Sequence, residues 1–269
     1  MYDDFSADYD RFVEWPSRLA VELPFIEQQL QAVEAHRVLD AACGTGMHSV
    51  ALAQQGYAMT GTDLNAGMVE RARANATAAG PVLSRAEGVD VQFEVAGFGE
   101  LARTLTPALS LPGRGSSFDA VLCLGNSLPH LLTPASLAAA LADFAACLRP
   151  GGLLLIQNRN FDAVLAHRER WMEPQARHEG ETEWLFLRLY DFEPDGKVTF
   201  NLVTLRRERA GEWSQQVTTT RLRPLQQEEL VEALDTAGFG ESTCWGDMQG
   251  APFDAEASPN LVVTAQRNK

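Results

Sequence analysis

Residues 37–49, RVLDAACGTGMHS, set an apolar run directly before two glycines one residue apart, Gly44 and Gly46. A buried strand that ends on glycine and reopens as a helix offers bare backbone and a helix N-terminus to a ligand. Open α/β sheets hold nucleotides this way. The chain keeps that rhythm up to residue 157. A strand over 37–41 leads into a helix to about Gln55, and 57–63 forms a second strand closing on Asp63. A helix follows over 65–80, with Asn65 as its cap and Gly80 as its stop. Residues 89–97 read as a third strand and 118–125 as a fourth, buried on both faces by its unbroken apolar content. The helix at 134–148, a sharp RPGG turn and a fifth strand at 153–158 complete the series. Strand and helix in alternation call for a parallel sheet covered on both faces. Residues 106–117, TPALSLPGRGSS, read as a loop.

On either side of this core the pattern differs. Leu19, Leu23, Ile26, Leu30 and Val33 recur at helical spacing, and Pro24 within that stripe predicts a kink or a break between two helices. From about residue 178 three strand-like runs follow one another, at 181–192, 197–208 and 215–225, with Asp195-Gly196 as a hairpin signal. A helix over 227–238 and two short terminal strands, near Cys244 and over 261–265, would close an edge of the main sheet. The expected architecture is a doubly wound, mostly parallel seven-stranded sheet of the Rossmann-like kind with an antiparallel β insert. The expected division is an N-terminal helical lid over 1–36, an α/β core over 37–177 and 226–269, and an insert over 178–225 that could carry the acceptor site or an oligomer interface.

Charge narrows the ligand. The chain has 22 basic against 36 acidic side chains, a net charge of −14, and its only lysines are Lys197 and Lys269. Nucleic acid is excluded as a partner, because phosphate binding needs clustered cations. No apolar run is long enough to span a membrane, and the acidic start lacks an apolar leader, so a cytoplasmic protein is expected. Cys43, Cys123, Cys147 and Cys244 have no CxxC pairing and read as thiols of a reducing compartment, with no metal site.

Asp63, at the tip of the second strand, is spaced to hydrogen-bond a ribose. That fits NAD and S-adenosylmethionine equally. Two residues separate them. The third glycine of the dinucleotide fingerprint is Ser49, and Asp40 ends the first strand with a carboxylate that would repel a pyrophosphate but suit a sulfonium. The alternative is that Asp40 caps backbone amides of the turn, and both roles can hold at once. Arg159 ends an apolar strand at the carboxyl edge of the sheet, where it is either paired to Asp162 or placed to receive an anion.

VLDAACGTG, the acid at Asp63, FDAVLCLGNSLPHL and LRPGGLLLIQNRN occur in the order typical of class I S-adenosylmethionine-dependent methyltransferases. Within that superfamily the chain resembles the glycine N-methyltransferase group, chiefly over residues 18–165. The resemblance implies S-adenosyl-L-methionine as cofactor and a small-molecule acceptor. It further implies that Gly44 and Gly46 approach the methionine portion beside Ala42, and that Asp63 holds the ribose. Leu64 and Met68 would sandwich the adenine with Phe98, and Gly97 would lie at the adenine edge. Arg18 would pair with the cofactor's carboxylate, and Leu124, Asn126 and His130 would lie near the transferred methyl. Arg159 would grip the carboxylate of an amino-acid acceptor such as glycine or sarcosine.

Under that reading Asn126 accepts the amine's hydrogens, His130 removes a proton, and Tyr2 or Tyr9 closes over the sulfonium. Where the glycine enzymes carry His-Arg-Asn-Tyr-Asp, this chain reads Asn158 to Asp162 as NRNFD, and the insert's only tyrosine is Tyr190. Three functions stay open at this point: an N-methyltransferase, an O- or C-methyltransferase for another small acceptor, and a non-catalytic S-adenosylmethionine-binding regulator. A dehydrogenase is disfavoured by Asp40 and Ser49.

Overall fold

Strand β1 (Arg37–Ala41) lies at the middle of the molecule, in parallel register with β2 (Ala58–Asp63) on one side and β4 (Phe118–Cys123) on the other. These are features of a computed structural model, which describes residues 10–11, 13–80, 91–109, 117–209 and 211–269. Beyond β2 lies β3 (Val91–Val95), and beyond β4 lies β5 (Leu148–Arg159). The terminal strands β11 (Asn260–Gln266) and β10 (Thr243–Trp245) extend the sheet past β5, both antiparallel, giving the order β10-β11-β5-β4-β1-β2-β3. The order reverses between β1 and β4, so a crevice forms at their carboxyl ends, where open sheets of this kind take their ligands.

Helices cover both faces. On one face α1 (Trp15–Ala32) and α2 (Met47–Gln54) bury Phe25, Ile26, Leu30, Leu52 and Ala53 against Val38, Ala120 and Leu155. On the other, α4 (Leu101–Leu109), α5 (Pro134–Cys147) and α7 (Gln227–Thr236) enclose a core around Leu39, Val121, Phe144, Leu234 and Val263. α3 (Ala66–Ala78) starts at Asn65, whose side chain accepts from the Met68 amide at 2.9 Å. No helix among the described residues is long and apolar enough to cross a membrane.

Four local expectations are corrected. Pro24 neither breaks nor ends α1, which runs unbroken through it. Pro24 and Ala20, whose helical hydrogen bond is lost, both lie on the exposed side, where water can replace that bond. The buried face of α1 is Trp15, Glu22, Phe25, Ile26 and Leu30, so it contains an acid that the apolar stripe leaves out. The RPGG segment is not a turn between elements but an irregularity inside β5. Phe118 pairs with Leu148 and Ala120 with Leu153, and the extra residues pass through Gly151 at φ 73°. Residues 106–109, expected as loop, are helical, since α4 runs to Leu109; the rest of that expected loop, 110–116, lies outside the described residues.

A second sheet stands beside the first. Its strands β6 (Gln175–Glu179), β7 (Thr182–Phe192), β8 (Val198–Glu208) and β9 (Ser214–Leu222) are antiparallel and sequential. Gly196 at φ 77° makes the β7–β8 turn. The sequence misses β6 because QARHE is a polar, mostly exposed edge strand with no alternation to read. The sheet is fixed to the core through α6 (Phe161–Ala166): Phe161 and Val164 pack with Tyr190, Val198 and Leu222.

Candidate active site

The turn after β1 needs three left-handed residues, Ala42 (φ 62°), Gly44 (φ 56°) and Gly46 (φ 75°). Two of them are glycine, for which that conformation is free; Ala42 holds it at a strain on the order of 1 kcal/mol. Gly46 is buried, and a Cβ there would come within 2.7 Å of Phe93 and 2.8 Å of Ala72. Its bareness serves the packing of the turn onto β3 and α3. Gly44 is partly exposed, and its amide donates to Asp63 Oδ2 at 2.9 Å, while Asp63 Oδ1 accepts from the Asn65 amide at 2.8 Å. Burial raises the pKa of Asp63 against those two bonds. Each carboxylate oxygen keeps a lone pair for a hydroxyl.

Asp40 is 2% exposed and accepts from Ser49 Oγ at 2.7 Å. It ties the end of β1 to the first turn of α2. Ser49 replaces the fingerprint glycine because it is the partner of that acid. Burial raises the pKa of Asp40, with the Asp63 charge adding to it and His48 and Ser49 opposing.

Two groups that the sequence does not mark hold this region together. Glu22, 6% exposed, accepts from Arg18 Nε at 3.0 Å and Gln157 Nε2 at 3.0 Å and sits 2.7 Å from His48 Nε2. Burial by itself would raise its pKa. The His48 hydrogen bond and the Arg18 charge outweigh that and hold it at about 2. Gln157 Oε1 in turn accepts from Arg18 Nη2 at 3.2 Å and the Gly125 amide at 3.1 Å. Arg18 is thereby fixed beside Gly125 at the end of β4 and stacks on Trp15 at 5.3 Å. The second unmarked group is Asp10. It accepts from Thr45 Oγ1 at 2.6 Å, Trp15 Nε1 at 3.0 Å and Arg71 Nε at 2.9 Å, and so closes the N-terminal segment over the glycine turn.

Across the crevice, Gly125 (φ 73°) and Asn126 (φ 67°) turn the chain sharply after β4. The Asn126 amide donates to the Gln157 carbonyl, and Asn126 Oδ1 accepts from the Arg159 amide, both at 3.0 Å. Asn126 thus joins the ends of β4 and β5. Leu124 is buried with Phe25 and Leu30. His130 ends a 3-10 turn (Leu128–His130) that Arg223 anchors through its amide to the Pro129 carbonyl at 2.8 Å. Its side chain reaches the surface, and the protein packed around the ring lowers its pKa.

Arg159 pairs with Glu169 at 2.8 Å; Asp162 instead receives the Gln227 amide at 3.0 Å. Arg159 Nε is buried without a hydrogen bond, as are both polar atoms of the neighbouring Asn158. Tyr190, from the second sheet, has its pKa pushed up to about 12 by burial, with the charges of Arg159 and Arg188 opposing. Tyr2 and Tyr9 lie outside the described residues.

On the opposite flank Leu64 is 76% exposed at the tip of β2, with Gly97 facing it: a Cβ on Gly97 would come within 3.0 Å of Leu64 Cδ1. An exposed leucine beside a bare glycine and a partly open carboxylate fits a flat base and its ribose. Met68 is buried in α3, and Phe98 packs edge-on against Phe144 at 5.5 Å. The residues present therefore fit S-adenosylmethionine: Leu64 and Gly97 for the base, Asp63 for the ribose, Gly44 and Arg18 for the methionine end.

Residues 38–152 match the methyltransferase domain family, and the sheet with its crevice has the fold of solved S-adenosylmethionine-dependent methyltransferases. Curated proteins that it resembles include glycine/sarcosine and glycine N-methyltransferases. The chain is 36% identical over 165 residues to glycine/sarcosine N-methyltransferase of Halorhodospira halochloris, covering 61% of this chain and 55% of that protein. To the enzyme of the same name from Aphanothece halophytica it is 27% identical over 253 residues, covering 92% and 82%. The chain spans about half the length of the first of these relatives. Among solved structures, Streptomyces venezuelae DesVI superposes with a TM-score of 0.72 at 20% identity, over 97% of this chain and 98% of that one.

Proposed function

We propose that the protein transfers a methyl group from S-adenosylmethionine to the amine of a small amino acid, glycine or sarcosine being the lead acceptors. The observation that carries this reading is the junction of Asn126 and Arg159 at the carboxyl edge of the sheet. It ties the Asn126 side chain to the backbone of Arg159, whose guanidinium pairs with Glu169. The similarity to glycine/sarcosine N-methyltransferases supports the same acceptor class.

Bound S-adenosylmethionine supplies a methyl on a sulfonium: the amine lone pair forms the C–N bond as the C–S bond breaks, its electrons stay on a neutral thioether, and the nitrogen releases a proton. Such a displacement needs alignment more than acid or base, and alignment can be worth ~7–11 kcal/mol. Arg159 would hold the acceptor's carboxylate as a fork, exchanging Glu169 for it, and so set the direction of the amine. The pair with Glu169 is half-exposed and costs little to open. Asn126, with its carbonyl already tied to the Arg159 amide, fixes the spacing between clamp and crevice and keeps one lone pair for an amine hydrogen. His130 stays neutral to lower pH than an ordinary histidine and can take the released proton directly or through water.

Arg159→Lys tests the reading. With glycine or sarcosine as acceptor, KM rises at least tenfold while affinity for S-adenosylhomocysteine, read by calorimetry, stays within twofold. An unchanged KM removes the carboxylate clamp.

A further inference from the structure

The two faces of the second sheet differ in what they meet. Trp184, Phe186, Arg188 and Tyr190 alternate along β7 on the inner face, where Phe186, Tyr190, Leu202 and Leu222 belong to packed apolar clusters. The residues between them point the other way. Across the strands Leu185 stands opposite Leu205, Leu187 opposite Val203, and Val203 opposite Val217. With Leu189 they form one apolar row on the outer face. All are partly exposed except Val217, which is 55% exposed, and among the described residues none of them enters a packed cluster. A sheet face turned to water carries polar residues in alternation with the buried ones; this one carries leucine and valine.

The row is flanked by aromatic rings. Trp171, in a bridge with Leu189, is 61% exposed, and Trp213, with Arg207 over its ring at 4.6 Å, is 41% exposed. Together with Val217 these are three of the six large apolar side chains exposed among the described residues, so the exposure is concentrated in one patch.

Size and charge decide what covers such a face. β7 and β8 have 11 residues each, β9 has 9 and β6 has 5. At a rise of ~3.4 Å and a strand spacing of ~4.8 Å the face measures about 600 Å2. Two copies set face to face bury about 1,200 Å2, the lower end of the range for a stable interface, and Trp171 and Trp213 add to it. The charged residues of the outer rows are neutralised within the chain: Glu183 by Arg207 at 2.6 Å, Asp191 by Arg170 at 2.7 Å, and Arg221 by Asp195 at 2.7 Å. A chain of net charge −14 repels its own copies, and a neutral apolar face is where that repulsion is least. A basic partner drawn by the acidity would find little charge to read there. Antiparallel sheets pack face to face with their strands about 30° apart, and a two-fold axis lets one patch serve both sides.

We propose that the outer face of the second sheet is the interface of a homodimer, two copies stacked sheet on sheet around Leu187, Val203 and Val217. The inference holds whichever acceptor the crevice takes. Sedimentation equilibrium of the full chain is expected to give twice the 29.4 kDa of one chain. Leu187→Asp puts a charge at the centre of the face, and Val217→Arg puts one at a more exposed position that carries the test if the first variant does not fold. Each is expected to weaken the dimer at least a hundredfold, with S-adenosylhomocysteine affinity within twofold and the far-UV circular dichroism unchanged. Hydroxyl-radical footprinting gives a second reading: Trp171 and Trp213 are protected in the dimer and become reactive in Val217→Arg. The proposal is overturned by a single-chain mass at the highest concentration reached, or by a dimer that survives the substitutions. It is equally overturned if both tryptophans stay protected in a single chain, which would mean that a segment of the same chain covers the face.

Discussion

Replacing Glu22 by glutamine removes one negative charge from a buried cluster in which Arg18 and His48 face it directly. The magnitude follows from the acid's own proton affinity. Its pKa is held at about 2 instead of the ordinary 4.5, and at 1.36 kcal/mol for each tenfold the ionised form gains about 3 kcal/mol from the fold. That agrees with the cost of about 3–5 kcal/mol for breaking one partner out of a buried ion pair. Because the folded value is the lower one, the contribution is complete above pH 4.5 and is lost as pH falls toward 2. Urea unfolding at pH 7 should therefore give Glu22→Gln a stability about 3 kcal/mol below wild type. Repeating it at pH 4 and pH 3 should shrink the gap, since wild type loses what the variant never had. A gap under 1 kcal/mol at pH 7, or one that is equally large at pH 3, refutes the assignment of that stability to the Glu22 charge.

Three other outcomes follow from the site. Gly46→Ala adds left-handed strain of about 1–2 kcal/mol and a collision with Phe93 and Ala72 worth about 1–3 kcal/mol. Its thermal midpoint should fall by roughly 10 °C, and a Phe93→Leu second change should recover part of the loss. Asp63→Ala removes the acceptors of the Gly44 and Asn65 amides and the carboxylate proposed to hold the ribose; calorimetry should read a loss of at least tenfold in S-adenosylmethionine affinity. If His130 takes the amine's proton, the acidic limb of kcat/KM lies below pH 6.5, because the neutral imidazole persists to lower pH, and His130→Gln erases that limb.

What could be read from the sequence was whatever depends on neighbours in the chain. The apolar run before Gly44, the acid at Asp63 and the alternation of strand and helix determined the parallel sheet and the crevice at its carboxyl ends. These are consequences of backbone periodicity and of glycine's freedom, and they act over a few residues. The same locality explains the errors. Pro24 reads as a break because the sequence does not say which face is wet, and β6 goes unread because an exposed edge strand has no alternation.

Tertiary structure alone decided what the charged side chains do. Asp40 is turned down to Ser49, and Glu22 is joined to His48 across 26 positions and to Gln157 across 135. Asp10 reaches Arg71, and Arg188 points inward from a strand whose letters alternate as any half-buried strand's do. A buried ion takes its stability from whichever partners the fold brings within hydrogen-bond reach. Those partners come from other elements, so no window of sequence contains them.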